Sequence, residues 1–221
     1  MNIVILCGGS PKKNRQRHLE IFEGLPLIKK IINACSIENT NLYIVIHKNN
    51  LKLINYVKNL NFNIEILLIN DEYVKTTITK ALSIKGDCVL VCGDLINVEK
   101  EDIIKFVNTE NSCALCRYKQ PWGPNIKNNG YVRRSDIGDC ITKISEKYKD
   151  IYLSDDLWDK AKMYLQTFYP NLKNIDMKSW NWIMTHVNYA FFYEIWSNTN
   201  VNSYEDKGTI YFKKKIYSDN D

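Results

Sequence analysis

Asn2–Ser10 reads NIVILCGGS. Asn2–Leu6 carries the aliphatic, β-branched run that a buried strand needs. Cys7-Gly8-Gly9-Ser10 ends it, and Lys12, Lys13, Arg15, Arg17 and His18 follow closely. Two glycines at the carboxyl end of a strand let backbone N–H groups approach an anion with no Cβ in the way. Nearby Lys and Arg add charge-assisted hydrogen bonds. Gly8, Gly9 and Ser10, with Leu6 and Cys7 leading into them, are therefore suited to a polyphosphate. A plain strand-to-loop turn with a solvated basic face is the competing reading. The P-loop pattern G-x-x-x-x-G-K-[ST] and the dinucleotide pattern G-x-G-x-x-G are both absent.

The same grammar recurs downstream. Leu25–Ala34 has helical spacing of its apolar residues, Leu42–Ile46 reads as a second buried strand, and Leu51–Leu60 as a helix. Ile64–Ile69 is a third strand, Thr76–Ser83 a helix and Cys88–Cys92 (CVLVC) a fourth strand. Nearly continuous apolar strands alternating with helices predict an α/β chain: a three-layer, Rossmann-like arrangement with a mostly parallel central sheet. Ligands of such sheets sit beyond the carboxyl ends of the strands. After about residue 110 the pattern becomes mixed and aromatic. Ser112–Arg117 reads as strand, Tyr131–Arg133 and Cys140–Ser145 as a hairpin, Asp155–Phe168 as a helix and Val187–Tyr193 as a strand. The expected organisation is one domain over 1–221, with a nucleotide-binding half (1–110) and a mixed, aromatic half (111–221).

Gly93-Asp94 directly follows CVLVC. A carboxylate at the end of a central strand shares an edge with the opening loop and can hold Mg²⁺, a hard cation that prefers oxygen ligands and shared phosphates. A turn or helix-cap aspartate is the bland alternative. The pairing of a basic glycine loop with a strand-end aspartate is more specific than either alone.

Bulk properties narrow the field. The chain has 221 residues, 45% hydrophobic and 25% charged, with a net charge of +5. That charge suits a small anion and gives little support to nucleic acid as a partner. The initial apolar run is too short for a secretory signal, and no stretch reaches the roughly 18–20 apolar residues of a membrane span. Seven cysteines, most of them in apolar strand-like runs, read as reduced buried thiols in a cytoplasmic protein. The Cys113-Ala-Leu-Cys116 spacing falls in a strand, where positions three apart face opposite ways, so zinc is not expected.

Taken in order, these segments resemble the nucleotidyltransferases that make nucleotide-activated sugars and alditols on a GT-A-like Rossmann fold. "ILCGG…R" is similar to that family's L-x-G-G-x-G-x-R. "RHLEIFEGLPLI" is similar to P-K-x-L…G-x-P-L-I, with Arg17 where a lysine usually stands. "GDCVLVCGD" resembles the segment ending in the metal-binding Gly-Asp. "GYVRRSDIGDCITKISEK" resembles the Y-G…G-x-V…I-x-E-K-P hairpin, "VNYAFFY" resembles N-x-G-x-Y, and "WSNTNVNSYED" resembles W-x-D-I-G-T-P-E-D. The resemblance implies transfer of a nucleoside monophosphate from an NTP to a sugar or polyol phosphate. It implies Arg15 and Arg17 as catalytic cations, and nucleotide contacts from Leu6, Cys7, Gly8, Gly9, Ser10, Thr76, Thr77 and Gly93. It implies acceptor contacts from Gly130, Glu146, Lys147 and Asn188, and Mg²⁺ held by Asp94 with Asn200 and Asn202. Those two asparagines stand where the family has carboxylates. A non-catalytic nucleotide-binding homologue and a nucleotide-sugar glycosyltransferase of the same fold are the alternatives. A homodimer is compatible with either. Trp180, Trp182 and Trp196 read as packing aromatics, Asp155-Asp156 as a helix cap, and Lys213-Lys214-Lys215 as a solvated tail.

Overall fold

A computed structural model describes residues 1–9, 16–95, 98–110, 112–119, 122–125, 130–132, 137–168, 187–188, 190–191 and 209–213. Strand β1 (Asn2–Cys7) is buried at every position. Its alternate side chains serve two cores: Ile3, Ile5 and Cys7 face one, and Val4 and Leu6 the other. This is why the run is continuous rather than alternating. A 3-10 turn (Arg17–Leu19) leads into a short hairpin, β2 (Ile21–Phe22) and β3 (Leu25–Pro26). Glu23 and Gly24, both at positive φ, form its two-residue turn. Leu25 and Pro26 thus precede the helix, and α1 (Leu27–Cys35) starts two residues later than its hydrophobic spacing suggested.

Strand β4 (Asn41–His47), helix α2 (Leu51–Lys58), strand β5 (Ile64–Ile69), helix α3 (Val74–Leu82) and strand β6 (Cys88–Cys92) follow in the expected order. Asn50 caps α2 by accepting the Leu53 N–H. Helix α4 (Lys100–Asn108) was not anticipated from the sequence. Its signal is the reciprocal Glu99/Asp102 capping box, followed by Ile103, Phe106 and Val107 at helical spacing.

The second half joins the same sheet. Strands β7 (Cys113–Lys119), β8 (Trp122–Asn125), β9 (Gly130–Val132) and β10 (Ile137–Ile144) are followed by a 3-10 turn (Glu146–Tyr148). Then come helices α5 (Lys149–Leu153) and α6 (Asp155–Phe168), and strand β11 (Thr209–Lys213). The seven-stranded sheet has the order β5-β4-β1-β6-β10-β7-β11. Six of its strands run one way and β10 opposes them. Helices α1, α2 and α4 cover one face, and α3, α5 and α6 the other.

Three expectations are corrected here. Tyr131 and Val132 pair with β8, and β10 pairs with β6 and β7, so the hairpin joining the two halves of "GYVRRSDIGDCITKIS" does not form. Ile141 and Ile144 are fully buried beside β6, and that burial decides the partner. Val187, Asn188, Ala190 and Phe191 are helical, not extended, and pack on the α3/α5/α6 face. Lys213 ends a strand parallel to β7, while Lys214 and Lys215 lie outside the described residues.

Cys7, Cys35, Cys88, Cys92 and Cys113 are buried, reduced thiols. Burial pushes the Cys113 thiol from its ordinary 9.0 up to about 12. In the unfolded chain this thiol ionises near 9.0, whereas the folded protein keeps the proton until about 12. Between those values the native state binds more protons, so stability should fall as pH rises, by up to about 1.4 kcal/mol per pH unit for each such group. Urea unfolding in reductant at pH 8 and pH 10 checks this. Cys113→Ala should flatten the decline, and an unchanged slope in that variant would contradict the assignment.

Candidate functional site

The carboxyl ends of β1 and β6 lie side by side, with Leu6 opposite Cys92. One further bond extends the pairing: the Gly93 N–H donates to the Leu6 carbonyl at 3.0 Å. A Cβ at Gly93 would stand 2.2 Å from Cys7 Sγ and 2.7 Å from the Leu6 carbonyl oxygen. Glycine is therefore required for the two strand ends to meet. Gly8 has a similar reason. A Cβ there would lie 1.9 Å from Thr77 Oγ1 and 2.8 Å from Ile69 Cδ1, because α3 packs directly on it. Gly9 differs: among the described residues no atom lies within 4 Å of an added Cβ. Packing explains Gly8 and Gly93, whereas Gly9 opens outward at the sheet edge.

Asp94 follows at this edge, and Arg17 reaches it from the 3-10 turn. Arg17 Nη1 donates to Asp94 Oδ2 at 2.6 Å, with the two side chains 34% and 17% exposed. The carboxylate acts on its neighbours. Burial is the larger cause pushing the Cys7 thiol well up, and the Asp94 charge adds to it. Burial pulls His18 below its ordinary value, against Asp94, which favours the imidazolium. Asp94 thus stands at a partly buried strand end, paired with the Arg17 guanidinium.

The sequence-selected residues divide. Gly8, Gly9, Gly93, Asp94 and Arg17 come together at one edge. Leu6 and Cys7 reach it only through backbone, since their side chains are 6% and 1% exposed. Thr77 is buried beneath Gly8. Thr76 and Thr77 both lie in the first turn of α3. Thr76 donates to Asp71 Oδ2 at 3.1 Å and lines an open groove of about 700 Å³ with Asn70, Tyr73, Lys75 and Lys80. Gly130 belongs to the β8–β9 hairpin, which follows the carboxyl end of β7 on this same edge. Ser10, Arg15, Asn200 and Asn202 lie outside the described residues.

Glu146, Lys147 and Asn188 are not brought to this edge. Because β10 opposes β6, Ile144 stands beside Cys88 and the following turn lies at the amino edge. Glu146 Oε2 there accepts the Gly86 N–H and pairs with Lys149, each at 2.7 Å. The five residues of β6 separate it from Asp94 by about 13 Å of strand. Asn188 is fully buried, accepting the Tyr152 hydroxyl at 2.6 Å and donating to Thr142 Oγ1 at 3.4 Å. The structure thus places Glu146 and Lys147 at the opposite edge, where Glu146 holds Gly86 and Lys149, and Asn188 in the core.

Two further residues, Asp71 and Lys75, order the carboxyl side. Asp71 accepts the Tyr73 N–H at 2.9 Å as well as the Thr76 hydroxyl, ordering the entry into α3. Lys75 pairs with Asp155 and lies over the Trp158 ring, tying α3 to α6. An aspartate three residues before a helix is the readable signal for the first. The second joins residues far apart in sequence and leaves none.

No family model and no curated protein matches the sequence. Solved structures do match. A 4-diphosphocytidyl-2C-methyl-D-erythritol synthase from Anaerococcus prevotii aligns with TM-score 0.50 at 12% identity, over 96% of this chain and 87% of that one. A Bacillus anthracis protein assigned as a glucose-1-phosphate thymidylyltransferase, in complex with sucrose, aligns with TM-score 0.53 at 12% identity, over 97% and 86%. Rv0371c from Mycobacterium tuberculosis gives 0.52 at 8% identity, over 97% and 88%. The fold is that of the sugar nucleotidyltransferases. At these identities the likeness is one of architecture, and the nucleotidyltransferase fold here carries its own edge chemistry in Arg17 and Asp94.

The glycines separate packing from ligand approach. Gly8→Ala and Gly93→Ala should each lower unfolding stability by about 1–3 kcal/mol through overpacking. Gly9→Ala should stay within about 0.5 kcal/mol of the parent. Urea unfolding of the three variants checks this, and a Gly9→Ala loss as large as the other two would contradict it.

Proposed function

We propose that this chain transfers a nucleoside monophosphate from an NTP to a small phosphorylated acceptor, a sugar or polyol phosphate, with release of pyrophosphate. The observation that carries the reading is the meeting of Gly8, Gly9, Arg17 and Asp94 at the carboxyl edge of β1 and β6, in a fold shared with nucleotidyltransferases. An oxygen of the acceptor phosphate attacks the α-phosphorus. The bond from that phosphorus to the bridging oxygen breaks, and the electron pair leaves with pyrophosphate.

The protein's part is positioning and charge. Backbone N–H groups of Gly8, Gly9 and Ser10 hold triphosphate oxygens, and Gly9 lets the phosphates close on the backbone. Arg17, aided by Arg15, offsets negative charge growing on the phosphoryl oxygens. The groove beside α3, lined by Asn70, Tyr73 and Thr76, takes the nucleobase. The β8–β9 hairpin, with Gly130, stands on the acceptor side. Among the described residues no three or more His, Cys, Asp or Glu side chains form a metal cluster. A lone hard carboxylate fits Mg²⁺, which keeps several waters and relies on substrate phosphates for charge. Asp94 would hold that ion, with Asn200 or Asn202 adding a neutral oxygen, and the bound ion would polarise the α-phosphate. Among the described residues no helix is long and apolar enough to cross a membrane. An NTP substrate is consistent with a cytoplasmic location.

A pyrophosphate-release screen of four NTPs against sugar and polyol phosphates tests the reading. One pair should turn over, and Asp94→Asn should abolish it. Arg17→Ala should slow it by roughly 10²–10³-fold while changing stability by under about 1 kcal/mol. Full activity in Asp94→Asn would place the chemistry elsewhere. Nucleotide binding with no release from any pair would identify a non-catalytic nucleotide-binding homologue.

A further inference from the structure

We propose that Arg17 is an exchangeable counter-ion for Asp94. It occupies the carboxylate that a divalent cation needs, and it gives that carboxylate up only as it moves onto nucleotide phosphate. The proposal rests on the nucleotidyltransferase reading and adds an order to it: metal and nucleotide enter together, because each removes an obstacle to the other.

The geometry behind this is direct. Arg17 Nη1 stands 2.6 Å from Asp94 Oδ2, so a guanidinium hydrogen points at that oxygen. A magnesium-like ion on the same oxygen would stand at about 2.0–2.1 Å. Two cations cannot share that position without close contact and mutual repulsion. Asp94 is 17% exposed and lies over the buried Cys7, so its charge is poorly hydrated and is stabilised by a cationic partner. Arg17 is twice as exposed, at 34%, and belongs to a three-residue turn outside the sheet, so its side chain can swing while Asp94 stays fixed. A triphosphate offers paired oxygen acceptors of higher charge than one carboxylate, and the planar guanidinium fork can bond two of them at once. Transfer of Arg17 to phosphate uncovers Asp94 at the moment a cation arrives with the nucleotide. By linkage, the cation favours phosphate binding by the same factor.

Among the other clusters of charge, the amino-edge group of Glu146, Lys149 and Asp87 is bonded to the Gly86 N–H, to Ser145 and the Glu146 N–H, and within itself. Lys75 with Asp155 and Trp158 ties two helices together. Only the Arg17–Asp94 contact, among these, joins two groups that the chemistry needs apart.

The test reads gains of binding, which an unfolded variant cannot produce. Mn²⁺ binding is measured by electron paramagnetic resonance without nucleotide, at about 0.15 M salt, where charges beyond about 8 Å are largely screened. Arg17→Gln should tighten Mn²⁺ by roughly fivefold or more, the equivalent of a partly exposed ion pair. Lys30→Gln, which removes an equal charge from the Glu23 pair, should leave Mn²⁺ affinity within about twofold of the parent, since that pair does not involve Asp94. In chelator, Asp94→Asn should bind inorganic tripolyphosphate more tightly than the parent, because its Arg17 is released. An unchanged Mn²⁺ affinity in Arg17→Gln, an equal gain in Lys30→Gln, or unchanged tripolyphosphate binding in Asp94→Asn would each overturn the proposal. These arms need no turnover. Gains in them with a blank pyrophosphate screen would sink the catalytic reading and leave the exchange standing, and the reverse result would sink the exchange alone.

Discussion

The hydrogen bond from the Gly93 N–H to the Leu6 carbonyl closes the gap between two strand ends that any side chain at Gly93 would force apart. Strand β1 is buried on both faces and flanked on both sides, by β4 and β6, so its own exit can lead only outward at the carboxyl edge. Chain direction makes this the sheet's switch point. From β1 the chain runs outward through β4 to β5, and only afterwards returns to lay β6 on the other flank. Such a reversal leaves a crevice between loops that diverge, and ligands of open α/β sheets collect there. Gly8 allows α3 to close over one side of the crevice, and Gly93 lets Asp94 emerge on the other.

Charge at that crevice follows from burial beneath it. Cys7, Ile5 and Val91 exclude water from the strand ends, so the Asp94 carboxylate feels a low-dielectric floor and an aqueous roof. Among the described residues Arg17 supplies the positive charge in contact with it, from a turn held by its own backbone bonds, Leu19 N–H to Gln16 and Leu27 N–H to Glu20. A strongly anionic ligand meets donors and a guanidinium on this edge. The amino edge presents the opposite picture. There Asn2 donates to the Lys85 carbonyl, Lys143 to Thr109 and Lys149 to Ile84, while Asp87 accepts the Glu146 N–H.

Much of the first half was legible because its strands bury both faces. LYIVI and CVLVC admit few alternatives to parallel core strands, and the glycines that end β1 and β6 point to the site without any fold in hand. The second half was not legible in the same way. Tyr131–Arg133 and Cys140–Ser145 read as neighbours in a hairpin, yet Tyr131 and Val132 pair with β8 while Ile141–Ile144 pair with β6, because the fully buried Ile141 and Ile144 gain more beside β6 than beside a three-residue strand. That choice reverses the direction in which Ser145–Lys147 emerges, and it moves Glu146 and Lys147 from the expected acceptor site to the far rim. Asn188 illustrates a second limit. An asparagine in an aromatic run is readable as a ligand contact, whereas its bonds to Tyr152 and Thr142 come from distant segments that no local pattern links.

On the proposed function, triphosphate and metal meet over the ends of β1 and β6. A crystal structure of the protein grown with Mn²⁺ and the NTP it binds most tightly tests this most directly. Anomalous scattering should place Mn²⁺ against the Asp94 carboxylate, with phosphate oxygens over the Gly8 and Gly9 backbone and Arg17 turned onto them. A metal bound elsewhere, with the 2.6 Å Arg17–Asp94 contact intact beneath the bound nucleotide, would contradict it.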